Sequence, residues 1–446
     1  MLKPNAIRSF LSIASAFVVP SLVHAAGPAP LGAKFRASAC TTCSQISSSV
    51  AGIASGEFFV AWEGKSAADS QGVAGRMFRN NGTPKGADLQ INPTALPAQH
   101  DVAVAGDATG YVAAWSQVEG VNSEVYVRRY TAAGVAVGSA VKVNNADNPA
   151  SPPYADFNPV VAKTTGGAFV VVWVRFKPSG PTTAGTDPEV LLRRFNNAGG
   201  ALGAPVKLNV NLVNGDRPDV CVDSTGQIDV AWTSADGFPP FEANHKGVSV
   251  RRVAPAGTTI GGEILVAAPL ATSAPVGIAC GTQGQFMVVW QSERPPAVTR
   301  EDILGVRYTK AGVKMGNVFV VNSARPGSQR SPQVSADTAG NYVVVWQSEN
   351  PPSGLGVFGR RFTSAAVATG NDFAVDTSAG TEPRSIDPDV AHLGSTKNFV
   401  VVFQDGLKGI WARRFGPGTP LASSAPDGAE DEAIAADTAD DESVEP

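Results

Sequence analysis

Seven times in this chain an apolar strand closing on Trp or Phe is followed by an Arg-rich strand closing on an aromatic residue or Val. The copies read GEFFVAW with GRMF, GYVAAW with VRRY, GAFVVVW with LRRF, GQIDVAW with VRRV, GQFMVVW with GVRY, GNYVVVW with GRRF, and KNFVVVF with ARRF. Their anchors are Trp62, Trp115, Trp173, Trp232, Trp290, Trp346 and Phe403, spaced 53, 58, 59, 58, 56 and 57 residues apart. A fixed period of this length means one small unit stacked on itself, each copy burying its neighbours' faces. The repeats therefore argue for a single body, although 446 residues would suggest two or three domains.

Within the sixth copy, residues 332–337, 342–347, 357–363 and 371–376 read as strands, and Asp337-Thr338-Ala339-Gly340 as a tight turn. The run Tyr342-Val343-Val344-Val345-Trp346 has no polar alternation, as expected of a strand covered on both faces. Four such strands per repeat predict an all-β fold: a seven-bladed β-propeller of four-stranded antiparallel blades. The seventh copy supplies only three strands. Residues 31–38 resemble the fourth strands elsewhere and are expected to complete blade seven, tying the two ends of the chain together.

Residues 1–25 carry Lys3 and Arg8, an apolar run from Phe10 to Val19, and a Val23-His24-Ala25 exit, the pattern of a cleaved secretory signal peptide. The run is too short, and too interrupted by Pro20, to span a bilayer. The propeller is expected over 26–420, with a disordered acidic tail over 421–446 that holds nine carboxylates and no Lys or Arg. The net charge of −4 is mostly that tail. Without the leader and tail the body is near neutral, which excludes the basic footprint of a nucleic-acid binder. A secreted or periplasmic monomer is expected, without a membrane span and without a cofactor.

Cys221 and Cys280 fall in the first strands of consecutive repeats, one position out of step, so their side chains point towards one another. A disulfide across those two blades follows in an oxidising compartment. Cys40-Thr41-Thr42-Cys43 reads as a second, local bridge; no second Cys pair stands at ligand spacing to make it a zinc site.

At GNYVVVWQSE and GVFGRRFTSAAVATGNDFAVD the repeat resembles those of large secreted bacterial adhesin-like and RTX-type proteins. The resemblance covers the mature body and implies an exported β-propeller without implying an activity. The chain departs from those relatives in lacking the G-G-x-G-x-D nonapeptides of calcium-binding β-rolls, so no metal is expected.

The strand-three arginines Arg129, Arg194, Arg252, Arg307, Arg361 and Arg414 follow the repeat and are expected to be structural, stacking on aromatics and pairing with carboxylates. Turns such as Asp223-Ser224-Thr225-Gly226 place Gly three residues after Asp, unlike a sialidase Asp-box. Neither H-E-x-x-H, a Cys/His cluster nor G-x-S-x-G occurs. Function is expected on the face bearing the long, irregular loops. The non-repeated residues there are Tyr154, Asp156, Phe238, Phe241, His245, Arg294, Arg300, Glu301 and Asp302. With no catalytic motif, the leading expectation is a non-enzymatic binding or scaffold module for a protein or carbohydrate partner. The alternative is a glycan-active hydrolase or lyase using Glu301 or Asp302 with Glu349 near the channel mouth.

Overall fold

In a computed structural model, the described residues are 27–41, 43–64, 72–93, 98–144, 154–164, 166–177, 186–210, 215–234, 247–267, 275–293, 300–323, 327–350, 354–376, 385–406 and 409–417. The expected leader and acidic tail lie outside them. Every element of the described chain is a β-strand, and no helix there is long and apolar enough to cross a membrane.

The strands form six hydrogen-bonded sheets. Four sheets hold four strands and one holds five; the eight-stranded sheet is two sets of four joined by one parallel bridge, Ala155 opposite Ser123. In the sixth repeat Gln329–Ala336, Tyr342–Asn350, Gly354–Phe362 and Phe373–Asp376 pair in chain order, all antiparallel. The first of these begins three residues earlier than the sequence predicts, because a bulge between Arg330 and Gln333 extends the ladder past Pro332.

The second strands show why they lack alternation. Phe58, Val60 and Trp62 pack with Leu393, Val400 and Val402 of the seventh repeat. Phe59 and Ala61, on the other face, pack with Val104, Tyr111 and Ala113 of the second. Each fully buried large apolar side chain contributes about 1.5–3 kcal/mol, and this pattern recurs from sheet to sheet.

The first strands lie side by side. Gln45–Gly52 contacts Gln99–Asp107, which contacts Ala155–Lys163, then Gly215–Val222, Val276–Cys280, Gln329–Ala336 and Ser385–His392; the last contacts Gln45–Gly52. The N-terminal segment lies on the C-terminal strand Ile410–Gly416. Ala29–Pro30 pairs with Gly416 and Phe415, and Phe35–Arg36 with Ala412 and Trp411. The expected single strand over 31–38 is thus two short pieces parted around Gly32, whose φ of 110° only glycine adopts freely. Between them Lys34 Nζ reaches Asp376 Oδ1 at 3.1 Å and Asp405 Oδ2 at 3.5 Å.

The paired arginines divide their work. The first of each pair lies over the aromatic ring two residues on: Arg128 on Tyr130, Arg193 on Phe195, Arg360 on Phe362 and Arg413 on Phe415. The second reaches a turn carbonyl of the following repeat: Arg129 on Asn197 O (2.6 Å), Arg194 on Pro255 O (2.6 Å), Arg252 on Lys310 O (3.0 Å) and Arg414 on Asn80 O (2.6 Å). The structural role stands, but for these four the partner is a backbone carbonyl where a carboxylate was expected. Cys40 is bonded to Cys43, and Cys221 to Cys280. Asp223 Oδ1 accepts from the backbone N–H groups of Thr225 (2.8 Å) and Gln227 (2.9 Å), closing its hairpin with Gly226 at φ 84°.

Candidate functional site

The first strands enclose a cavity of about 430 Å³ to which all seven repeats contribute. Each first strand, the fifth excepted, enters this lumen through a bulge. At the bulge sits a non-glycine residue with positive φ: Ser47 (49°), Asp101 (57°), Asn158 (51°), Arg217 (45°), Ser331 (51°) or Asp387 (48°). Four of these precede Pro, a position that favours extended backbone. Left-handed backbone at such residues costs about 1–3 kcal/mol and persists only where its surroundings impose it.

At three of the six, a polar side chain of the preceding repeat holds the backbone N–H. Glu63 Oε2 accepts from Asp101 N (3.2 Å), Asp101 Oδ2 from Asn158 N (3.2 Å), and Gln291 Oε1 from Ser331 N (3.2 Å). Glu63 Oε1 also meets His100 Nδ1 at 2.8 Å, and Asn158 Nδ2 donates to Asp216 Oδ1 at 3.2 Å. The rim is therefore a pre-organised belt of carboxylates, amides and two arginines, Arg217 and Arg330.

One layer deeper the positions in register are Ser49, Ala103, Val160, Asp219, Gly277, Gln333 and Asp389. Asp219 accepts from Val220 N and from Ile278 N of the next repeat, both at 2.8 Å. Asp389 accepts from Val390 N (2.7 Å) and from Val50 N of the first repeat (2.8 Å). Burial, opposed by those N–H bonds, pushes the Asp219 carboxyl up to about 7, with the charge of Asp389 raising it further. Burial likewise pushes Asp389 up to about 6 against its two N–H bonds and the Ser49 hydroxyl. At the rim, burial raises Asp387 and Arg217 opposes it. Two carboxyls raised by burial, on the first strands of the fourth and seventh repeats, thus line the same cavity.

The residues expected from sequence fall elsewhere or only near. Phe238, Phe241, His245 and Arg294 lie outside the described residues. Asp156 is 0 % exposed and bound to the Arg175 guanidinium at 2.9 and 3.0 Å, with Arg175 stacked over Tyr154 at 5.2 Å. Burial raises the Asp156 carboxyl, and Arg175 opposes it. Asp156 is thus a buried structural ion pair where a surface ligand was expected. Asp302 is buried and takes Asn322 Nδ2 at 2.9 Å. Arg300 is exposed.

Glu301 and Glu349 do come together. Arg330 bridges them, donating through Nε to Glu301 Oε2 and lying 3.0 Å from Glu349 Oε1 through Nη1. Sequence reasoning missed Asp219 and Asp389; their signal is the triplet Pro-Asp-Val, present at 218–220 and 388–390.

No family model matches the chain, and no curated protein gives a significant match. Among solved structures the polysaccharide lyase Uly1 is similar at a TM-score of 0.50 and 11% identity, over 81% of this chain and 88% of that one. A protein of unknown function from Dyadobacter fermentans DSM 18053 follows at 0.49 and 10% identity, over 86% of this chain and 97% of that one. The Hadza microbial sialidase Hz136 stands at 0.47 and 9% identity, over 79% and 74%. The likeness shows the fold, β-propeller-like and all-β.

It also corrects the leading expectation. The non-enzymatic module rested on the absence of a linear catalytic motif, yet a chain of similar fold is a polysaccharide lyase. A fold does not by itself fix an activity, and the lack of a contiguous motif does not make the chain a non-enzyme.

Proposed function

We propose that the chain is an exported glycan-cleaving enzyme, a hydrolase or lyase, built on a seven-bladed β-propeller over residues 26–420. The leader over 1–25, the acidic tail over 421–446 and closure by the N-terminal strand belong to the same reading. Supporting closure are the contact of Ser385–His392 with Gln45–Gly52 and the pairing of residues 29–30 and 35–36 with Ile410–Gly416. Two disulfides suit an oxidising compartment.

The observation that carries the activity is the pair Asp219 and Asp389 in the lumen. Burial raises both carboxyls, so near neutrality the pair can hold a single proton, with one carboxyl neutral and the other ionised. An acid of that kind protonates the leaving glycosidic oxygen. The ionised partner activates water in a hydrolase, or takes the ring proton in a lyase. Glu301 and Glu349, already shared by Arg330, are read as rim groups that orient the sugar chain; this replaces their assignment as acid and base. The lumen suits a short stretch of glycan, its volume falling within the range of ligand pockets.

The test is turnover of a panel of neutral, acidic and amino polysaccharides by the wild type, Asp219→Asn and Asp389→Asn. New reducing ends without ultraviolet absorbance mark hydrolysis; an unsaturated, absorbing product marks elimination. Either variant is expected to lose about 10²–10⁴-fold in rate. Equal turnover by all three proteins overturns the assignment of the pair, and no turnover of any glycan overturns the function.

A further inference from the structure

Away from the channel, Asp229 in the second strand of the fourth repeat is 0 % exposed and lies opposite Cys221 in the sheet register. Its Oδ1 accepts from Gln227 Nε2 at 3.0 Å, while Oδ2 lies 3.5 Å from Cys280 Sγ. Burial foremost pushes this carboxyl up to about 7; Asp223 adds to the rise, and Gln227, Arg252 and Lys310 oppose it. A carboxylate oxygen gains little from a disulfide sulfur, which has no proton to donate. Two thiolates at the same place would be partners of another kind.

Both Sγ atoms and a carboxylate oxygen lie within 4.8 Å of one another. Tetrahedral zinc, with Zn–S near 2.3 Å and Zn–O near 2.0 Å, sets sulfur and oxygen about 3.5 Å apart. The Cys280–Asp229 separation already has that value. Gln227 holds the other carboxylate oxygen, as outer partners of metal ligands do. Cys280 is partly exposed.

We propose that Cys221, Cys280 and Asp229 form a redox-gated site for a thiophilic divalent cation of the zinc class, shut while the disulfide stands and opened when a dithiol reduces it. The dithiol supplies two electrons and two protons. The Sγ–Sγ bond breaks, a disulfide forms in the reductant, and two thiols remain. Binding the cation releases both thiol protons to solvent, together with any proton on Asp229. The fourth position is left to water.

The experiment uses the full chain with Cys40→Ser and Cys43→Ser, so that only one pair of thiols remains. After reduction with dithiothreitol and its removal without air, cadmium and then zinc are titrated while the near-ultraviolet thiolate-to-cadmium band is followed. Circular dichroism reports the fold. One equivalent of cadmium, displaced by zinc and bound at least about tenfold more weakly in Asp229→Ala and Asp229→Asn, is the expected result. The use of two variants guards against one failing to fold. The proposal is overturned by no saturable band, by unchanged affinity in the folded variants, or by loss of the fold on reduction.

Discussion

The Asp389 carboxylate accepts a hydrogen bond from the backbone N–H of Val50 at 2.8 Å, across 339 residues of chain. Asp219 does the same for Ile278, Ser49 for Val104 at 3.2 Å, and Ser335 for His392 at 3.2 Å. Polar side chains thus link the first strand of one repeat to that of the next, and Asp389 makes this link between the last repeat and the first. The two lumen carboxylates therefore hold the body together as well as supplying the proposed chemistry.

Removing residues 27–40 deletes both N-terminal strands, the Lys34 contacts to Asp376 and Asp405, and the Cys40–Cys43 bridge. A single cooperative melting transition lowered by roughly 5 °C is expected, corresponding to about 4 kcal/mol in a body of this size. Differential scanning calorimetry checks it, and an unchanged transition would remove the closure reading.

The acid–base reading predicts a bell-shaped dependence of kcat/KM on pH. Its limbs have apparent values near 6 and 7, belonging to the coupled pair rather than to either residue. A rate that stays flat between about pH 5 and about pH 8 would exclude the pair.

Stability should respond to the same groups with a defined sign. Asp219 and Asp389 are raised from 3.8, so their contribution is full below about pH 4 and is lost as the pH rises through about 6 and about 7. His392 acts oppositely. Burial lowers its ring from 6.5 to about 4, so its contribution is full above about pH 6.5 and is lost as the pH falls towards 4. The difference between wild type and Asp219→Asn isolates the aspartate. The variant should gain in Tm relative to wild type as the pH rises from about 4 to about 7, as read by thermal melts in matched salt; a constant difference would contradict the raised value.

Arg194 donates to Pro255 O of the following repeat, whereas Arg361 at the corresponding position donates no side-chain hydrogen bond among the described residues. Arg194→Ala is expected to cost about 1.5–3 kcal/mol in urea unfolding, as for other hydrogen bonds to a charged group, and Arg361→Ala less. Equal losses would show that the turn contact is not what makes the repeated arginine stabilising.

Much of the architecture was legible because it repeats. The period of the Trp anchors, the unbroken apolar second strands and the opposite parity of Cys221 and Cys280 are local patterns whose physical meaning does not depend on distant residues. The site was less legible for a matching reason. Asp219 and Asp389 are marked locally only by the shared triplet Pro-Asp-Val, which carries no information about a common lumen. Glu301 and Glu349 were found because carboxylates beside long loops are conspicuous, but both lie in strands, and the Arg330 between them comes from a third.

By itself the sequence determined that this chain is a stack of β-sheets buried on both faces, because side-chain periodicity and turn residues act over a few positions and need no knowledge of the whole. The tertiary structure decided which carboxyls are unusual. A pKa depends on burial and on charges brought close through space, and only the assembled first strands partly bury Asp219 and Asp389 and bring the charge of Asp389 to bear on Asp219.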